Sequence, residues 1–277
     1  GRWTPEIRPA ASNRDDPRIV VSEAHFQQDD PTPLLTVSAS IYHRARLSTV
    51  LGRVAELICA HFMPEGTVLS WARTEPAGAV WDRKTFTKTA RDNMPEAHMI
   101  LAAHGPGRSV ASGSMTINRT ENGLEEYLEM TVLPTHIEPA WWQDRVNTFL
   151  QAVGTELKPQ FALVFRTAGN DDGTFPPTAR TVPTPMAVLI GAPGIRRLRV
   201  DPEAVAGKHG GSVTGRGRRH GVLIPLDSGR EPAWDAMSSL LSTLDGDNGN
   251  LARVLAPKTS AGPAAAPSSH FGPKSQD

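Results

Sequence analysis

Cysteine is almost absent from this chain of 277 residues, which contains Cys59 alone. A single cysteine excludes an internal disulfide and is typical of a reducing compartment, so we expect a cytoplasmic protein. Long apolar runs are missing as well, because the richest stretches, 99–103 and 186–190, are far shorter than the roughly 20 residues that span a bilayer. No basic, apolar and small-residue series opens the chain, so we expect neither a signal peptide nor a transmembrane segment.

An excess of charge of either sign is also lacking. Lysine plus arginine and aspartate plus glutamate each total 29, so the formal net charge is zero. Proteins whose main task is non-specific nucleic-acid binding carry a strong basic excess. The balanced charge therefore argues against that class, although it leaves room for a local basic patch.

Recognisable catalytic signatures are missing too. The chain has no Gly-x-Ser-x-Gly elbow and no cluster of histidine, cysteine and acidic residues with the spacing of metal ligands. His98 and His104 bracket one predicted strand and stand roughly 20 Å apart, too far to share one ion. Cys59 lies near the predicted C-terminus of a helix, where the dipole opposes a thiolate. We expect no cofactor, and catalysis would require a site of unrecognised type assembled from distant residues.

The best-specified local pattern is a β-hairpin around Asn122-Gly123, a residue pair preferred in type I′ turns. A two-residue loop at these positions would pair segment 110–121 with segment 124–133. Met115 then faces Met130 and Ile117 faces Leu128, with Arg119 opposite Glu126 near the turn. The alternate pairs are nearly all polar. One apolar face and one polar face are typical of an antiparallel sheet covered by helices on a single side.

Apolar spacing and capping signals predict the remaining elements. The predicted helices are 44–62, 82–93 with Asp82 as N-cap, 139–157 and 234–244. The predicted strands besides the hairpin are 18–21, 34–39, 67–72, 98–104, 160–166, 186–190 and 222–226. The predicted fold class is α+β, a mostly antiparallel sheet with helices packed on one face.

The domain organisation follows from composition. Residues 1–17 carry three prolines and predict an irregular lead-in. Residues 18–245 predict one α+β domain, or two subdomains divided near 168–182. The tail at 246–277 is rich in Gly, Ala, Pro and Ser, and it lacks the large apolar residues needed to order itself, so we expect it to be disordered.

A Gly/Arg-rich segment at 207–220 contains Lys208, Arg216, Arg218 and Arg219 and no acidic residue. Glycines let backbone amides approach an anion, and arginines hold phosphate oxygens in pairs. One hypothesis is therefore binding of a nucleotide or phosphate, a nucleic acid or an acidic partner. The alternative is a solvated connecting loop, since the spacing matches neither a Walker loop nor a dinucleotide fingerprint.

A second candidate surface lies on the polar face of the hairpin, where Glu125, Tyr127 and Glu129 alternate. The two carboxylates stand about 13 Å apart along a strand, which does not suit paired acid–base chemistry. A protein-binding surface or a solvated face fits better. Trp141 is a further candidate contact, because Trp142 takes the buried position of the helix and leaves Trp141 exposed.

Several segments follow one another in an order that resembles a known family. They are Trp71, Glu75-Pro76, Trp81, Met94-Pro95, the strand 98–104, the hairpin with Glu121-Asn122-Gly123, and the segment VPTPMAVLIG at 182–191. Over about residues 68–244 the chain resembles an actinobacterial family of unknown function that is often encoded beside type VII (ESX-type) secretion genes. The resemblance implies an accessory protein of a secretion system or a protein that neutralises a toxin, with another protein as partner. It transfers no catalytic residue.

Overall fold

The structure is a computed structural model that describes residues 32–106, 108–121, 123–135, 139–170, 182–215, 220–246 and 251. Within these residues one sheet contains ten strands: β1 (Thr32–His43), β2 (Val68–Ala72), β3 (Ala79–Val80), β4 (Glu96–Gly105), β5 (Arg108–Thr120), β6 (Gly123–Val132), β7 (Pro159–Gly169), β8 (Thr184–Ile190), β9 (Ser212–Thr214) and β10 (Gly221–Pro225). Their order is β3-β2-β4-β5-β6-β1-β7-β8-β10-β9, and all neighbours are antiparallel.

Six helices accompany the sheet in the same described residues: α1 (Arg53–Phe62), α2 (Arg83–Asp92), α3 (Pro139–Glu156), α4 (Ala192–Leu198), α5 (Pro202–His209) and α6 (Ala233–Asp245). None of these helices is long and apolar enough to cross a membrane. The predicted α+β class with a mostly antiparallel sheet is confirmed. The predicted lead-in, the strand at 18–21 and nearly all of the predicted disordered tail lie outside the described residues.

The main core lies between one face of the sheet and helices α1, α2 and α3. Odd-numbered residues of β1, such as Val37 and Ile41, point into it and are almost fully buried. The helix predicted at 139–157 is observed as α3, and it buries five large apolar side chains: Trp142, Val146, Phe149, Leu150 and Val153. Helix α2 begins as predicted, because the Asp82 carboxylate accepts the Thr85 N–H at 2.7 Å.

A second, smaller core covers the opposite face at one end of the sheet. There α4, α5 and α6 pack against even-numbered residues of β8 and β10, among them Val188 and Ile224. Helices therefore cover one face from β2 to β1 in sheet order, and both faces around β8 and β10. The sequence signals for α4 and α5 are Pro193 in the first turn and Asp201, whose carboxylate accepts the Glu203 N–H at 3.1 Å.

The prediction of a helix over 44–62 is wrong in its first half. Strand β1 continues to His43, and the helix begins only at Arg53. Leu47 and Val50 match the helical spacing, but they are 88% and 39% exposed. Gly52, with φ +85°, changes the chain direction just before the helix, and an added Cβ there would lie 2.6 Å from the Trp81 ring. Apolar spacing alone did not reveal this boundary.

The predicted hairpin is confirmed, but its register is wrong by two residues. Thr120 pairs with Gly123, and Met115 faces Leu128 rather than Met130. Gly123, at φ +154°, is the first residue of β6, where an added Cβ would lie 2.2 Å from the His43 carbonyl oxygen. The glycine therefore permits close approach of β1. Asn122 lies outside the described residues. A shift of two residues keeps every side chain on its predicted face.

Candidate functional site

The second face of β4, β5, β6 and β1 carries a continuous surface of mainly polar side chains, here called the open face. Cross-strand pairing aligns its residues in rows, one of which runs from His98 through Thr116 and Tyr127 to Ser40. Apart from the buried Ser40, its side chains are exposed or half-buried. Its members are Thr36, Ser38, Ser40, Tyr42, Glu96, His98, Ile100, Ala102, Ser112, Ser114, Thr116, Asn118, Glu125, Tyr127, Glu129 and Thr131.

Short hydroxyl side chains make up much of the open face. The hydroxyls of Thr36 and Thr131 lie 3.3 Å apart across two strands, and His98 Nδ1 lies 3.3 Å from Thr116 Oγ1. Short side chains leave room for a second surface to approach, and their hydroxyls both donate and accept hydrogen bonds. The arrangement suits polar recognition over a broad area.

Tyr127 and Glu129 lie on the open face, as the hairpin pattern predicts. Tyr127 is 36% exposed, and its hydroxyl donates to Glu129 Oε2 at 3.4 Å. Its ring stands 6.5 Å from that of Phe161, which supports it from β7. Partial burial, followed by the Glu129 charge, raises the pKa of the Tyr127 phenol. A partly supported tyrosine offers both an apolar ring and a hydroxyl to a partner.

Glu125 also lies on the open face, but it belongs to a hydrogen-bonded network. Its Oε1 accepts from Ser40 Oγ and from Gln160 Nε2, both at 2.7 Å, and Gln160 Nε2 also reaches Ser40 Oγ at 3.0 Å. Arg197 Nη1 donates to the Gln160 side-chain oxygen. Gln160 reaches this face at a register shift, where Ser40 pairs with Phe161 and Ile41 with Pro159. The only sequence signal for Gln160 was a polar residue opening an apolar strand.

Trp141 lies on α3, among the helices on the other side of the sheet, and is half-buried against the main core. The Arg145 guanidinium stands 5.3 Å from the centre of its ring. The structure therefore does not bring Trp141 together with Glu125, Tyr127 and Glu129. The expectation of an exposed tryptophan is wrong, because the core and Arg145 cover much of its surface.

Comparison with known proteins identifies the family. The model of the C-terminal domain of DUF6177 matches residues 34–246. The chain belongs to the DUF6177 family. The matched span runs from the third residue of β1 to just past the end of α6, so it contains every residue of the open face. No curated protein and no solved structure matches the chain.

The Gly/Arg-rich segment of this DUF6177 domain is only partly described. Lys208 is exposed in the last turn of α5, and Ser212–Thr214 form β9, so the segment is not a loop throughout. Arg216, Arg218 and Arg219 lie outside the described residues. Anion binding by this segment stays a prediction.

A buried carboxylate that the sequence pattern did not single out lies on the helical side of β6. Glu126 is 1% exposed, and its Oε2 lies 2.9 Å from His43 Nε2 and 3.1 Å from the backbone nitrogen of Gly52. The predicted pair of Glu126 with Arg119 is wrong, because the register shift places Arg119 opposite Leu124, where it is exposed. Glu126 therefore joins three segments of the fold.

The remaining chemically reactive side chains do not converge. Burial, followed by the Glu56 charge, raises the pKa of Cys59 to about 11, which agrees with the expectation of an unreactive thiol. Burial lowers the pKa of His61, and its Nδ1 is buried without a hydrogen-bond partner in the described chain. The described residues contain no group of three or more potential metal ligands among His, Cys, Asp and Glu.

Proposed function

We propose that this DUF6177 protein is a non-catalytic binding protein that recognises another protein through its open face. The observation that supports this proposal is the open face itself, a four-strand surface of mainly polar side chains around the partly exposed Tyr127. Protein interfaces are commonly organised around such an aromatic residue with a polar rim.

The charges of the open face favour a partner with basic groups. Glu129 is exposed near Tyr127, and Glu96 is exposed at the start of β4, opposite Asn118. Complementary charges across an interface increase the association rate and favour the correct partner. Salt screens such exposed charges, so the complex should weaken as ionic strength rises.

The resemblance to proteins encoded beside type VII secretion genes supports two forms of this function. In one, the protein is a cytoplasmic accessory of the secretion system and binds a secretion component. In the other, it is an immunity protein and binds a toxin. The two forms predict different partners, and only the second predicts that the purified protein inhibits the toxic activity of its partner.

The experiment is affinity purification of the tagged full chain from its native host at low ionic strength. We expect one protein to co-purify in a stoichiometric amount, and its identity distinguishes a secretion component from a toxin. Tyr127→Ala and Glu129→Lys should each reduce its recovery. Glu65→Lys is the matched control, since Glu65 is exposed in the turn between α1 and β2, outside the open face.

Two results would contradict the proposal. The first is failure to recover any stoichiometric protein under these gentle conditions. The second is recovery that Tyr127→Ala and Glu129→Lys leave unchanged. Circular dichroism and thermal unfolding of each variant establish that reduced recovery does not come from misfolding.

A further inference from the structure

A small cleft borders the open face where α4 approaches the ends of β1, β5 and β6. Its volume is about 300 Å³. The lining residues are Tyr42, Thr120, Glu125, Gln160, Pro193, Arg196 and Arg197. This volume is at the lower end of the range for ligand sites, so the cleft suits a side chain or a small acid.

The wall of the cleft is an ordered polar network. Gln160 is 7% exposed and Ser40 is fully buried, so the amide that connects Arg197 to Glu125 is held in place by the surrounding fold. The Gln160 oxygen accepts from Arg197, and its nitrogen donates to Glu125. These bonds therefore hold the Arg197 guanidinium at the mouth of the cleft.

The charges in the cleft favour the binding of one carboxylate group. Arg196 and Arg197 are exposed, and neither forms an ion pair within the described part of the chain. Glu125 contributes one negative charge, so two guanidinium groups and one carboxylate leave a single positive charge. A bound carboxylate group would neutralise it, and the second carboxylate of a diacid such as succinate lies far enough along its chain to stay in solvent. Both charges of a phosphate dianion lie on one centre, where Glu125 would repel the second. Guanidinium groups bind the two oxygens of a carboxylate in a planar, bidentate geometry.

We propose that this cleft is a carboxylate-binding site with Arg196 as its principal ligand and Arg197 as the second. The carboxylate has two possible sources, an acidic side chain of a protein bound on the open face or a free small acid. The proposal concerns the chemistry of the cleft and does not depend on the proposed function of the open face.

The test is a titration of the isotope-labelled full chain with succinate and N-acetylaspartate, followed by the backbone amide resonances of Arg196, Arg197 and Gln160. We expect saturable shifts in the millimolar range and weaker binding of inorganic phosphate. Arg196→Ala should weaken succinate binding at least about tenfold, because it removes a charge-assisted contact. Arg196→Lys keeps the charge without the planar fork and should restore the affinity only in part.

Arg73→Ala is the matched control, because Arg73 is an exposed arginine just beyond β2, at the far end of the sheet. It makes the same change in net charge and should leave the affinity unchanged. The proposal is overturned if succinate gives no saturable shift up to about 50 mM. It is equally overturned if phosphate binds more tightly than both acids, or if Arg196→Ala and Arg73→Ala behave alike.

The two sources are distinguished with the complex recovered from the native host. If the carboxylate belongs to the partner, excess succinate and Arg196→Ala both reduce partner recovery. If it belongs to a free acid, succinate binds to the isolated chain and partner recovery is unaffected by Arg196→Ala. Failure to find any protein partner would remove the proposed function and leave the succinate titration intact as a test of the cleft.

Discussion

The Nε2 atom of His43 lies 2.9 Å from Oε2 of Glu126, and this contact joins the last residue of β1 to the buried face of β6. The same oxygen accepts the backbone N–H of Gly52, one residue before α1. One carboxylate therefore fixes the end of a central strand and the start of a core helix. Because Glu126 is 1% exposed, water cannot easily replace either contact.

Glu126→Ala should lower the free energy of unfolding by about 3 kcal/mol, because it leaves the buried Gly52 N–H without its acceptor and His43 without its partner. Urea denaturation of the two proteins measures the difference. Glu121→Ala is the control, since Glu121 is exposed at the hairpin turn, and its loss should stay within about 0.5 kcal/mol. Equal losses for the two variants would contradict a structural role of the buried carboxylate.

Gly113 provides a test of the observed hairpin register. It faces Met130, and an added Cβ would lie 2.2 Å from the backbone oxygen of Glu129. Gly113→Ala should therefore cost at least about 2 kcal/mol of stability in thermal or urea unfolding. Gly207→Ala is the control: Gly207 lies in α5 with no atom near the added Cβ, and alanine there should stabilise by about 0.5–1 kcal/mol. A harmless Gly113→Ala would mean that the strands pair differently.

Cys59 should react slowly in the folded protein. Its pKa rises from 9.0 to about 11, chiefly because burial disfavours the charged thiolate, with a further contribution from the Glu56 charge. At pH 8 the thiolate fraction should be about 100-fold lower than in the unfolded chain, and the reaction rate should increase as the pH is raised toward 11. Iodoacetamide labelling of native and guanidinium-unfolded protein measures the ratio. Native labelling within about tenfold of the unfolded rate would contradict the prediction.

The sequence predicted the faces of the hairpin well, because side chains alternate with a period of two along a strand. Met115, Ile117 and Leu128 are buried on one side, and Tyr127 and Glu129 are exposed on the other. The register could not be predicted in the same way, since a shift of two residues preserves the whole alternation. It depends on β1, which is distant in sequence and passes so close to residue 123 that only glycine fits there.

Other features depend on contacts between distant segments. Gln160 reaches the open face at a local irregularity in the pairing of β1 and β7, which has no periodic signal. The late start of α1 depends on Gly52 beneath the Trp81 ring and on the bond from its N–H to Glu126. The cleft at Arg196 required α4, which is seven residues long and carries too short an apolar pattern to be recognised.

The two ends of the sheet have a consequence for assembly. Among the strands of the described residues, the outermost are the two-residue β3 and the three-residue β9. Strands this short present few unsatisfied amide and carbonyl groups, so another chain gains little by extending the ladder sideways. Fibre-like growth through strand addition is therefore disfavoured. A molecule that docks on this protein should contact a face of the sheet rather than one of its edges.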